Sequence, residues 1–170
     1  MILKPNHSDA PSYYHYYFDL VKEEDLLTAL ETNYSETIQF MSSISKHKEN
    51  YSYAYGKWTI KEVFRHIIDT EKILAYRAFR FSRFDNIDLA GFDENEYIAK
   101  IQHTHYDLKD LIEEFINLRK STINMFKPMT EDMLNFKGTA NNMSVTARGI
   151  GFMIVGHAVH HCQVVKSKYL

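Results

Sequence analysis

Thr59-Ile-Lys-Glu-Val-Phe-Arg-His-Ile-Ile-Asp-Thr-Glu-Lys-Ile-Leu-Ala-Tyr-Arg-Ala-Phe-Arg-Phe-Ser82 is the stretch that decides the fold. Thr59 followed by Glu62 is a capping-box spacing, in which two orphan backbone donors are satisfied reciprocally, so it predicts a helix start. Ile60, Val63, Phe64, Ile67, Ile68, Leu74, Ala75 and Ala78 then mark one apolar stripe to about Ser82. His66 lies at the edge of that stripe. Glu71 lies near its centre, between Ile67 and Leu74, where an unpaired charge is costly to bury.

Three further helices follow from the same period. Leu27, Leu30, Tyr34, Thr37, Ile38, Met41 and Ile44 predict one over about 23–45, before Gly56 supports a turn. Leu108, Leu111, Ile112, Phe115, Thr122 and Phe126 predict another over about 107–126, stopped by Pro128. The last runs from about Ser144 towards residue 170. Residues 83–106 form a long connection in which Gly91 and the acidic Asp93-Glu-Asn-Glu96 segment argue against extensive regular structure. Residues 129–143 read as a short turn and a loop. Four helices of about 20 residues make a bundle. A connection as long as 83–106 permits the second and third helices to run parallel, so the expected fold is all-α, a four-helix bundle of up-down-down-up order with a long crossover between helices 2 and 3. Residues 1–17, with two prolines and the cluster Tyr13, Tyr14, Tyr16 and Tyr17, read as an N-terminal arm lying on one domain spanning 18–170.

Bulk properties narrow the function. A 170-residue chain suits one domain, and 45% hydrophobic with 25% charged residues is ordinary for a globular one. A net charge of −2 gives no electrostatic case for nucleic acid, which needs a clustered basic face, nor for an anionic membrane surface. No run of about 18 apolar residues predicts a membrane span. Cys162 is the one cysteine, so no internal disulfide forms, and the first residues lack the pattern of a secretory signal; the cytoplasm is the expected compartment.

The chemistry concentrates in Gly156-His-Ala-Val-His-His161. His157 and His161 are four apart, so on a helix they share a face and can grip one ion. That face also carries Ile150, Met153, Ile154 and Val164, which places two imidazoles on a buried stripe; His160 falls to its flank. His66 lies two turns from the start of its helix, and His157 and His161 two to three turns from the end of theirs. In an antiparallel pair the three rings come to similar depth. Two readings stay open: a core network of hydrogen-bonded imidazoles, or a three-histidine metal site with a position left for water or substrate. Zinc is the first choice for such a set, and imidazole also suits nickel, iron and copper. Arg119 lies near the centre of the third helix's stripe. If the second and third helices are parallel, it meets Glu71, either as a pair fixing helix register or as a polar wall of the metal pocket. His103 and His105 in the long connection, and His7 and His15 in the arm, read as solvated. Cys162 reads as a packed residue away from the histidine face.

Trp58-Thr-Ile-Lys-Glu-Val-Phe-Arg-His66-Ile-Ile-Asp-Thr-Glu71, the Arg77-Ala-Phe-Arg-Phe-Ser-Arg-Phe-Asp85 run, the Gly91-Phe-Asp-Glu-Asn-Glu-Tyr97 loop and the terminal Gly156-His-Ala-Val-His-His161 together resemble the DinB-like superfamily, with its YfiT-like and thiol S-transferase members. The resemblance covers about residues 20–170. It implies an up-down-down-up bundle, one divalent metal ion (zinc or nickel first, iron also) on His66, His157 and His161, and a homodimer. It also implies transfer of a low-molecular-weight thiol to electrophiles, with metal-dependent hydrolysis as the alternative reaction. A non-catalytic, stress-related binding or dimerisation module is the competing function. Phe152, Val155 and Val159, opposite the histidines, make the last helix apolar almost all round, which fits either a dimer face or full burial.

Overall fold

Side-chain caps set where the long helices begin. In the computed structural model, which describes all residues except Ser8, Asp9, Gln102 and His103, Asp25 accepts from the Thr28 N–H and opens α2 (Leu26–Ser43). The Thr59–Glu62 capping box opens α3 (Ile60–Phe81). An Asp107–Asp110 box opens α5 (Leu108–Phe126), and Thr146 accepts from the Gly149 N–H to open α7 (Ala147–Lys168). Each cap satisfies a backbone donor that the helix itself cannot.

Partner residues give the directions. Along α3 and α5 they rise together: Arg65 meets Glu114, Glu71 meets Arg119 and Thr122. The two helices are therefore parallel. Against α7, α3 runs the other way, because Trp58 meets Tyr169 and His66 meets His157 and His161. Helix α2 is antiparallel to α5, with Leu30 beside Arg119 and Tyr34 beside Phe115. The order is up-down-down-up, and the helices touch in the cycle α2, α5, α3, α7. No helix among the described residues is long and apolar enough to cross a membrane.

Three segments carry more regular structure than their sequence suggests. The end of the expected arm, from residue 12, belongs to α1 (Ser12–Asp19), which runs past the expected boundary at residue 17 and packs on α7. The crossover contains α4 (Glu94–Ile101), whose first turn is acidic and so complements the positive end of the helix dipole. Residues 129–146 hold α6 (Glu131–Asn135) and a hairpin of β1 (Lys137–Ala140) with β2 (Met143–Thr146), so α7 begins three residues later than Ser144. The hairpin turn is Asn141-Asn142, with φ of 52° and 59°. A two-residue turn that follows the strand twist needs positive φ at both positions, which asparagine tolerates. Leu89 in the crossover pairs with this hairpin through its own N–H to the Thr139 carbonyl and its carbonyl to the Asn141 N–H.

The apolar core falls into two parts. One surrounds Phe18, Leu26, Phe126 and Phe152; the other surrounds Ile60, Phe64, Leu111 and Phe115. Between them, Asn33, Thr37, His66, Glu71, Arg119, Thr122 and His157 form a buried polar belt across the middle of the bundle.

Candidate metal centre

His66 sits seven residues after its cap, and the Tyr169 hydroxyl donates to the Trp58 carbonyl at 2.9 Å. That bond pins the start of α3 to the end of α7 and sets the depth at which His66 meets His157 and His161. One ring nitrogen from each of these three residues lies within 4.8 Å of the other two. The ring centroids are 4.8 Å apart for His66–His157, 4.7 Å for His66–His161 and 4.5 Å for His157–His161.

The electrostatics favour neutral rings. Burial, reinforced by neighbouring imidazoles, pushes His66 down to about 4 and His161 to about 3, and holds His157 well below the usual imidazole range. Nε2 of His66 and Nε2 of His157 face each other at 3.0 Å. Two lone pairs at that distance repel unless a proton or a cation lies between them. Nδ1 of His66 is 3.4 Å from Thr70 Oγ1, so in the tautomer with the proton on Nδ1 it donates there and leaves Nε2 free. Neutral imidazoles with converging lone pairs are the donor set that a borderline-soft divalent ion takes.

The cluster forms one wall of a cavity of about 560 Å³. Tyr14 and Tyr17 from α1, Trp58 before α3, Thr70 and Arg77 on α3, and Phe92 in the crossover supply much of the rest. Helix α1 reaches the site because residue 156 is glycine: a Cβ there would run into the Tyr17 carbonyl oxygen. The Tyr17 ring then lies 6.0 Å from His157, and the Tyr16 hydroxyl is 3.0 Å from Nδ1 of His160, which also lines the cavity. Burial raises Tyr14 to about 12 and raises Tyr17 further, so both hydroxyls stay protonated.

Glu71 and Arg119 meet, as their depths predict, but neither lines the cavity. Arg119 Nε–H and Nη2–H donate to the Glu71 carboxylate at 2.8–3.1 Å, and Nη1–H donates to Asn33 Oδ1 at 2.7 Å and to the Leu30 carbonyl at 3.3 Å. Thr122 Oγ1 donates to Glu71 at 2.8 Å. Their hydrogen bonds go to one another and to α2, none to a cluster histidine. His105 is exposed, His7 stacks on His15, and His103 lies outside the described residues. Cys162 faces away from the cavity, and burial pushes its thiol up to about 12.

Arg77, Tyr17 and Phe92 are among the wall residues that periodicity did not single out. Arg77 had a signal: it follows His66 by eleven residues, almost three whole turns, and so shares its face. Tyr17 and Phe92 lie outside the long helices and had none.

Comparison with known proteins agrees with this architecture. A solved structure, YfiT from Bacillus subtilis, described as a probable metal-dependent hydrolase with an unusual four-helix bundle topology, superposes with a TM-score of 0.71 at 16% identity, covering 83% of this chain and 82% of that one. No curated protein matches the sequence. The DinB superfamily profile matches residues 29–165, a span that starts within α2, ends in the last turn of α7 and includes all three clustered histidines. Matched over most of its length, the chain belongs to the DinB superfamily.

Proposed function

We propose that His66, His157 and His161 hold one divalent metal ion and that the cavity beside them is the active site of a metal-dependent enzyme acting on a small molecule. The observation that carries this reading is the convergence of three neutral imidazoles, from two antiparallel helices, on the wall of an aromatic-lined cavity. A divalent ion on such a set supplies Lewis acidity, lowering the pKa of water or of a thiol. Zinc and nickel suit three imidazoles best, and iron is compatible.

Thiol transfer to an electrophile is the reaction we favour. Hydrolysis benefits from a general base, and among the described residues no buried carboxylate faces the cavity: Glu71 is engaged by Arg119 and Thr122, and Glu94 at the rim is exposed. A thiol activated by the metal needs no separate carboxylate. The chain's part is then to keep the imidazoles neutral, to exclude water with Trp58 and Tyr17, and to orient His160 through Tyr16. Metal-dependent hydrolysis is the second reading, favoured by the likeness to YfiT.

The test is bound metal by plasma mass spectrometry on untagged protein reconstituted with zinc or nickel, beside His66→Ala and His157→Ala. Near-stoichiometric metal in the parent, lost in both variants, is the expected result. A parent that holds none makes the histidines a core hydrogen-bond network. A screen of thiols with electrophiles and of hydrolysable esters and amides on the loaded protein then separates the two reactions.

A further inference from the structure

Arg77 is 6% exposed and lines the same cavity as the histidines. A buried guanidinium ordinarily has a carboxylate partner, because an uncompensated charge away from water is costly. Among the described residues Arg77 has none. Its single hydrogen bond is from Nη2–H to the Ala90 carbonyl at 2.8 Å, and its charge lies 6.0 Å from the centre of the Phe92 ring. Tyr14 is the ionisable group whose charge acts on it, and that hydroxyl is neutral. Its other N–H groups meet no acceptor among the described residues, and the side chain lines the cavity.

The placement is built from two sides. Helical periodicity puts Arg77 on the His66 face about 16 Å farther along the axis, and helical side chains lean towards the N-terminus, which here is the direction of Thr70 and His66. The crossover supplies the opposite side: Leu89 is locked to the hairpin by two backbone hydrogen bonds, which fixes the Ala90 carbonyl that holds one arm of the guanidinium. The fork is thereby oriented, with its other donors presented to whatever enters. A planar fork of N–H donors matches a planar pair of oxygens. Tyr14, Tyr17, Trp58 and Phe92, with Leu74 and Met153, make much of the rest of the wall apolar or aromatic, which suits an apolar body. The one carboxylate of the lining, Glu94, is exposed at the rim.

We propose that Arg77 anchors a carboxylate of the substrate, so that the cavity takes a small organic acid whose apolar or aromatic body lies between Arg77 and the histidines. The proposal rests on the reading of this cavity as the active site, and it adds a substrate class and a specificity-determining residue. Because the anchor stands about three turns from the histidines, the carboxylate is a handle and the reacting centre lies at the other end of the molecule.

The test is calorimetric titration with 1-naphthylacetate and with 1-naphthylacetamide, which share a shape and differ in charge. Both are titrated into zinc-loaded and chelator-treated protein, as parent, Arg77→Met and Arg77→Lys. The expected result is a parent that prefers the acid in both metal states. Arg77→Met should bind the acid about ten- to a hundredfold more weakly with the amide unchanged, and Arg77→Lys should fall between. Equal binding of acid and amide by the parent overturns the proposal, and this comparison needs no variant to fold. So does an acid preference that vanishes on chelation and survives in Arg77→Met, since the carboxylate would then sit on the metal. Metal content measured on the same samples keeps the two readings apart. A metal-free parent with an Arg77-dependent acid preference sinks the metal centre alone; a metal-loaded parent without that preference sinks the anion anchor alone.

Discussion

Arg119 and Arg77 are both buried, and the chain surrounds them in opposite ways. Arg119 is fully enclosed, and its fork is engaged by Glu71, Asn33 and the Leu30 carbonyl, so that α2, α3 and α5 are tied by one set of bonds. Arg77 is given one backbone carbonyl and an aromatic face. The first arrangement is complete without any outside molecule. The second is complete only with one. A buried charge therefore marks structure where its donors are all met from within the chain, and recognition where they open onto a cavity.

The sharpest way to break this comparison is Glu71→Ala. It strands Arg119 away from water and should cost about 3–5 kcal/mol, read as a lower denaturant midpoint with unchanged slope. Replacing both partners with apolar residues, Glu71→Leu with Arg119→Met, should recover most of that loss. A single variant as stable as the parent would show that water reaches the pair.

The pH dependence comes next in size and belongs to the histidines. Their folded pKa values are depressed, to about 4 for His66, about 3 for His161 and well down for His157, against about 6.5 in the unfolded chain. Between about pH 6.5 and 4 the unfolded state binds more protons than the native state, so stability falls as pH falls through that window, by up to about 1.4 kcal/mol per pH unit for each histidine. Above pH 6.5 the effect is absent. Urea melts of chelator-treated protein at pH 7.5, 6 and 5 read this slope, and His157→Ala should reduce it. A flat profile would mean that the cluster takes up protons while folded.

The smallest effect is expected at Arg77. Arg77→Met removes one hydrogen bond and a poorly compensated charge, so its unfolding free energy should stay within about 1 kcal/mol of the parent. A loss as large as that of Glu71→Ala would make Arg77 a structural residue and remove the contrast.

Much of this was legible in the amino-acid sequence, for physical reasons that can be named. Glu71, Arg119, His66, His157 and His161 all lie on long helices, where a period of 3.6 and a count of turns fix both face and depth. The length of the 83–106 connection permits α3 and α5 to run parallel, and Arg65–Glu114 and Glu71–Arg119 place them so. Helix α1 was hidden because Tyr13, Tyr14, Tyr16 and Tyr17 offer no apolar–polar alternation: the cluster turns aromatic rings both to α7 and to solvent. The hairpin was hidden because its strands are four residues each, too short to show a period of two. Much of the cavity's far wall comes from these two segments and from Phe92, so the histidine end of the site was legible, while of the opposite end only Arg77 carried a periodic signal.

The two halves of the polar belt also lie apart along the chain. The Arg119 network draws on residues up to 122, whereas the histidine cluster needs residues 157 and 161. The ion-pair network thus lies within the first three long helices, and the histidine cluster depends on the fourth. Without α7, His66 would be one imidazole of a set of three. The three-histidine set therefore comes together only when α7 packs on α3, and any ion it holds depends on that contact.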